Sequence, residues 1–156
     1  MKSIRFHESN IRPSGRIAKG VRGLRLGPGD HIVGMEVLSY GQTLFAATEN
    51  GYGKRTSIDE YPVQKRGGKG VITIKANERN GKVVGILLVE EDDGLMLVTD
   101  IGKIIRISVS GVSVISRNTQ GVKLIELDST ESVVSVERLA EAEEEEPDSE
   151  LDNDQD

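Results

Sequence analysis

The chain contains no cysteine or tryptophan, and aromatic residues fill only 3% of its 156 positions. Without thiols it can build neither a disulfide framework nor a thiolate metal site, which suits a reducing cytoplasm. The shortage of aromatics counts against a single-strand nucleic-acid reader, because such proteins stack bases on Phe, Tyr or Trp. Long apolar runs are also missing. The stretch Gly85 to Val89 is far too short to span a bilayer, and the opening MKSIRFHESN lacks the apolar core of a signal peptide. These absences predict a soluble, cytoplasmic protein with no membrane contact.

Charge of one sign is missing locally. Residues 141–156 carry ten Asp or Glu and no Lys or Arg, and this segment produces the overall net charge of −6. The remaining sixteen acids face twenty bases, so residues 1–140 carry +4. A basic body with an acidic tail is the asymmetry that accompanies nucleic-acid contact, although both parts also serve solubility. The tail has almost no apolar side chains to offset the entropy of ordering and is expected to be disordered. Tethered beside a basic body, it is expected to compete with an anionic ligand and restrain its binding.

Glycine is plentiful, at eighteen residues, and the chain is 36% hydrophobic, which predicts frequent turns and one modest core. An internal repeat organises both. RIAKGV at 16–21 returns as RGGKGV at 66–71 and as RNTQGV at 117–122. Arg5, Arg55 and Arg106 keep the same step of 50 and 51, as do Ile32-Val33, Val83-Val84 and Val133-Val134. Short β-branched or alternating segments fill each repeat: 44–48, 54–58, 70–75 and 83–89 in the second, and 95–99, 104–109, 121–126 and 133–138 in the third. Glycine pairs such as Asn50-Gly51, Gly67-Gly68 and Asn80-Gly81 divide them.

Four strands per unit of about 50 residues is the arithmetic of a propeller blade, so the expected fold is all-β and propeller-like. Residues 1–41 hold counterparts of three strands, 4–6, 20–26 and 32–38, with nothing matching 44–48, and read as an incomplete blade cut at its N-terminal side. Residues 42–91 form the next blade, 92–140 the final one, and 141–156 the tail. Because such blades bury their faces against neighbours, the chain is expected to be part of a larger ring.

The heptad QKRGGKG, Gln64 to Gly70, concentrates three cations and three glycines. A nucleotide P-loop requires Ser or Thr directly after its lysine, but Lys69 is followed by Gly70 and Lys54 by Arg55. A contact to duplex backbone fits the residue types better. Glycines let a turn present N–H groups to an anion, Arg66 can grip a phosphate bidentately, and Lys65 and Lys69 add point charge. A solvated turn with incidental charge is the plain alternative. Arg16, Lys19 and Arg117 occupy the corresponding places in the neighbouring repeats, while Lys54 and Arg55 would extend the same track. Contacts of this kind position a duplex without reading its bases.

No catalytic constellation is spaced in the sequence. His7 and His31 are isolated, and Glu90-Glu91-Asp92-Asp93 lacks the ligand order of a calcium loop and reads as an exposed turn.

The heptad resembles the gyrase-A box, Q-[RK]-R-G-G-[RK]-G, of the C-terminal DNA-wrapping domain of bacterial DNA gyrase A. RIAKGVRGLRL (16–26), NGYGKRT (50–56), GVITIKANERNG (70–81), RNTQG (117–121) and the acidic terminus extend the likeness over essentially the whole chain. The resemblance implies a six-bladed β-pinwheel with exchanged strands, of which this chain would supply roughly the last three blades. It also implies that Gln64, Lys65, Arg66, Gly67, Gly68, Lys69 and Gly70 contact DNA wrapped on the perimeter.

In that family the principal box lies in the first blade, whereas here the heptad sits in the penultimate one. The implied partners are double-stranded DNA, the remainder of gyrase A and the gyrase B protein, and the setting is the bacterial cytoplasm and nucleoid. The complete enzyme would introduce negative supercoils using ATP and magnesium held elsewhere. The region with the catalytic tyrosine is not represented, and Tyr40, Tyr52 and Tyr61 fall in strands or turns of the repeat, so the chain is expected to have no cofactor and no catalysis of its own. Two alternatives stay open: the corresponding domain of topoisomerase IV, and a propeller scaffold for protein partners.

Overall fold

The computed structural model describes residues 1–39 and 41–139; the tail expected to be disordered lies outside them. The described chain is all-β apart from three single 3-10 turns, at Glu8–Asn10, Ile58–Glu60 and Val109–Gly111. The strands are β1 (Lys2–Ser3), β2 (Thr43–Thr48), β3 (Tyr52–Ser57), β4 (Val71–Ile72), β5 (Val83–Val89), β6 (Gly94–Thr99), β7 (Ile104–Ser108), β8 (Val122–Lys123) and β9 (Val133–Leu139).

They form a two-stranded sheet β1-β4, a four-stranded sheet β5-β2-β3-β8 and a three-stranded sheet β7-β6-β9. All the ladders are antiparallel. The third strand of a repeat leaves its own sheet. β8 pairs with β3 of the preceding repeat, Tyr52 opposite Lys123 and Gly53 opposite Val122. In the same way β4 pairs with β1, Lys2 opposite Ile72 and Ser3 opposite Val71. The complete four-stranded sheet therefore takes strands from two repeats, the exchange expected of a pinwheel.

Alternation places Phe45, Ala47, Val89, Leu95, Leu97, Val109, Val112, Val133 and Val136 in one buried cluster between the four-stranded and three-stranded sheets. The sheets approach closely where β5 meets β9, because a Cβ on Gly85 would lie 2.7 Å from a Val136 methyl. Burying side chains of this size contributes roughly 1.5–3 kcal/mol each.

Three sequence expectations change. Residues 20–26 and 32–38 form no strand, and the exchanged strands are two residues long rather than the six expected over 70–75 and 121–126. A strand needs a neighbour. β5 runs beside β2 and β9 beside β6, while among the described residues no strand pairs with 32–38, where Ile32, Met35 and Val37 are exposed.

Candidate nucleic-acid interface

The rim segments of successive repeats lie against one another, and the same hydrogen bonds recur at each junction. At the first junction Arg66 donates from Nε to the Asn10 carbonyl at 3.3 Å and from Nη1 to the Arg22 carbonyl at 2.5 Å. At the second, Arg117 donates from Nε to Glu60 O at 3.0 Å and from Nη1 to Ile72 O at 2.7 Å. Backbone bonds repeat in register: Gln64 N–H to Arg5 O and Ile115 N–H to Arg55 O, then Arg25 N–H to Gly68 O and Lys75 N–H to Thr119 O, at 2.8–2.9 Å. A second arginine reaches the other way. Arg5 Nη1 donates to Ile58 O and Tyr61 O, and Arg55 Nε to Val112 O. Each junction is thus clamped by two guanidiniums from opposite sides.

This geometry corrects three expectations. Lys54 and Arg55 are not part of an exposed track. Lys54 is fully buried, and its ammonium donates to Ser116 O, Arg117 O and Thr119 Oγ1 at 2.6–3.2 Å. Burial pushes its pKa down to about 8, against a smaller upward pull from Glu60 and a further downward push from Arg117. Arg55 is buried too and pairs with Glu91 at 2.6 Å, an ion pair that holds the Glu91 carboxyl below its ordinary value.

Second, Arg66 and Arg117 carry structural bonds on two of their nitrogens. The Arg117 guanidinium also lies 6.0 Å from the Tyr61 ring centre. Neither presents a free bidentate fork.

Third, the N–H of Gly67, one of the heptad glycines expected to face an anion, is already taken. Gly67 N–H donates to Gly23 O at 2.7 Å, so the loop rests on residues 22–25. Gly70 adopts φ +68, and a Cβ there would overlap the Ser3 carbonyl oxygen. At Gly121, with φ +79, a Cβ would likewise lie only 2.8 Å from Gly53 O. These glycines admit the exchanged strand.

Exposed charge remains around the first junction. Lys65 and Lys69 of the heptad are exposed, as are Arg16 and Lys19 of the preceding repeat. Arg12, Arg22 and Arg25 are exposed as well, and Arg22 and Arg25 lie at the junction, because they hydrogen-bond to the heptad through their backbones. The repeat-based reading does not single out these three arginines. The available signal was the absence of any acid from 9 to 29 and from 61 to 77, stretches that carry nine bases between them. The four ion pairs among the described residues involve none of these bases. The corresponding stretch 112–128 has two bases and two acids, and there Lys123 pairs with Glu126 at 2.7 Å.

Among known proteins, a family model described as "DNA gyrase C-terminal domain, beta-propeller" matches residues 2–39, 42–90 and 94–140. The DNA gyrase A protein of Escherichia coli (strain K12) is 48% identical over 145 residues, covering 93% of this chain and 17% of that protein. The DNA gyrase A protein of Streptomyces coelicolor is 46% identical over 143 residues, 90% of this chain and 17% of that protein. This chain thus spans about a sixth of the curated relatives it matches. Among solved structures, a DNA gyrase A C-terminal domain superposes with a TM-score of 0.82 at 31% identity, over 89% of this chain and 47% of that one. A C-terminal domain of DNA topoisomerase IV also superposes at 0.82, with 25% identity, over 88% of this chain and 43% of that one.

Proposed function

Since the chain belongs to the DNA gyrase C-terminal domain family, we propose that it is a DNA-binding and DNA-wrapping module of gyrase A, with no catalysis or cofactor of its own. Within a complete enzyme, comprising the rest of gyrase A together with gyrase B, it would contribute to ATP-dependent negative supercoiling in the bacterial cytoplasm. The observation that carries this reading is the first junction, where exposed Arg22 and Arg25 are hydrogen-bonded through their backbones to the heptad that carries exposed Lys65 and Lys69, and none of the four is in an ion pair among the described residues.

Lys65, Lys69, Arg16 and Lys19 are the proposed phosphate contacts, with Arg12, Arg22 and Arg25 beside them. Gln64, Arg66, Gly67, Gly68 and Gly70 hold the loop in place, and Arg117 does the same at the next junction. Lysines and arginines placed this way release counterions from duplex DNA without choosing a sequence. Bound along a curved rim, the duplex would bend around the module.

The equal superposition on a topoisomerase IV domain supports a second reading within the same class. The intact heptad and the 48% identity to a gyrase A protein favour the first.

Titrating a long duplex with the chain over a salt series tests DNA binding. The expected result is a log–log slope growing by about −0.9 for each phosphate contacted, with the same affinity for unrelated sequences. A slope near zero, or no binding at low salt, would sink the proposal. Shifted linking number in a relaxed plasmid closed by a nicking-closing enzyme reports the wrapping.

A further inference from the structure

The second junction, both halves of which this chain supplies, has a loop without the heptad's lysines: Ser116 and Gln120 stand in the places of Lys65 and Lys69. Exposed positive charge reaches it from another segment. Lys75, the counterpart of Arg25, donates its N–H to Thr119 O at 2.8 Å, as the Arg25 N–H donates to Gly68 O. Four residues further on is Arg79, exposed, where the other repeats have Gly29 and Thr130. It is therefore not one of the arginines that recur with the repeat and join its units.

Arg79 sits on a turn fixed from several directions. Asn77 Oδ1 accepts from the N–H groups of Arg79 and Asn80, and Asn80 Oδ1 accepts from the Asn77 N–H, at 2.8–3.2 Å. Asn50 Nδ2 donates to the Glu78 and Arg79 carbonyls at 3.2 Å. The fully buried Asn80 donates from Nδ2 to Lys75 O and to Gln120 O at 2.8 Å, and the second of these bonds ties the turn to the loop of the next repeat.

The side chain is held as well. Arg79 Nε donates to Tyr52 Oη at 3.3 Å, and the guanidinium carbon lies 5.2 Å from the Tyr52 ring centre. Nε is the one Arg79 side-chain nitrogen bonded to protein among the described residues, and the four ion pairs there include neither Arg79 nor Lys75. Both Nη groups are thus open, which is the fork that Arg66 and Arg117 lack.

A guanidinium held at Nε, with its two terminal nitrogens free, suits a phosphodiester, which accepts two N–H bonds in parallel. Holding it in advance lowers the ordering cost of binding. We propose that Arg79, with Lys75 at the base of the same turn, is a second phosphate-binding anchor for duplex DNA, placed at the second junction and positioned by Tyr52. The proposal rests on the DNA-binding reading given above and extends it past the first junction: Lys75 stands to the second loop as Arg25 stands to the heptad. Lys123, although opposite Tyr52 in the sheet, is outside the anchor because Glu126 holds its ammonium at 2.7 Å.

Titrating the full chain with a long duplex over a salt series tests this. Arg79→Ala should weaken binding about tenfold and reduce the salt slope by about 0.9, with the melting temperature unchanged, and Arg79→Gln and Lys75→Ala should each lower the slope similarly. Arg79→Lys keeps the charge but not the fork, and Tyr52→Phe keeps the charge but not the positioning bond, so both should weaken binding while the slope stays. Lys123→Ala is the control and should change neither. If Arg79→Ala and Arg79→Gln bind like the unsubstituted chain while Lys65→Ala with Lys69→Ala still reduces the slope, the anchor is overturned and the DNA-binding reading stands. No binding by the unsubstituted chain overturns both. An equal loss from Lys123→Ala would make the effect one of general charge and overturn the anchor, and full affinity in Arg79→Lys would overturn the two-bond grip.

Discussion

At the first junction Arg66 lies on the carbonyls of Asn10 and Arg22, and at the second, 51 residues on, Arg117 lies on those of Glu60 and Ile72. The scaffolds are the same, but the charges laid over them differ. Around Arg66 the exposed cations have no acid in the flanking sequence. Around Arg117, the Glu60 carboxylate accepts from the Arg117 N–H at 2.8 Å, and Glu126 neutralises Lys123. Lys54, whose first-repeat counterpart is Ile4, is buried beneath the second loop. The comparison separates two roles that the repeated arginine pattern merges: regular spacing records how the repeats are joined, and unopposed charge marks where a polyanion would bind.

The largest effect should come from the joining role. Gly70→Ala places a methyl against the Ser3 carbonyl at positive φ, and we expect a loss of about 3 kcal/mol or more in denaturant unfolding. Gly20→Ala has the same φ and open space, so only its backbone strain of about 1–2 kcal/mol applies. Equal losses at the two sites would break the equivalence of structure and role.

Next in size, Lys54→Met leaves the Ser116 and Arg117 carbonyls without their donor and should cost about 2–3 kcal/mol. It should also change the pH profile. Burial holds the Lys54 amine at about 8 against an ordinary 10.5, so between those values the unfolded chain binds more protons than the folded one. The Lys54 contribution to stability therefore rises as pH climbs from about 8 to 10.5, and Lys54→Met should flatten that rise in chemical denaturation curves.

The binding role is sharpened by Lys65→Ala with Lys69→Ala. Together they should reduce the salt slope of DNA binding by about 1.8 while leaving the melting temperature within error. Lys123→Ala should give the smallest effect, with slope and melting temperature both unchanged, because Glu126 already neutralises that exposed lysine. If Lys123→Ala reduced the slope as much as Lys69→Ala, the contrast between the junctions would fail.

Much of the fold could be read from the sequence because the repeat is marked by glycines and β-branched runs that local chemistry requires. Val83–Val89 and Leu95–Thr99 were legible as strands because their apolar side chains face the shared core. Ile32–Leu38 has the same pattern but no strand, since pairing depends on a neighbour that local pattern does not report. Lys54 and Arg55 were misleading for a related reason. Two adjacent cations in a β segment ordinarily read as solvated, and only the neighbouring repeat reveals the Val112, Ser116 and Arg117 carbonyls that hold them in the interior. Arg12, Arg22 and Arg25 escaped the reading because they break the repeat period; the stretch without acids around them was the visible sign.

The exchange of β8 onto β3 also bears on how such an array can change length over evolution. A duplication that copies one sequence period does not copy one sheet, because the last strand of each sheet is encoded some 70 residues after that sheet's β3. Gain or loss of a period reconnects two sheets at once and succeeds only if the newly adjacent arginines and glycines match. That condition keeps the clamp positions in step between repeats while leaving the surface lysines free to diverge.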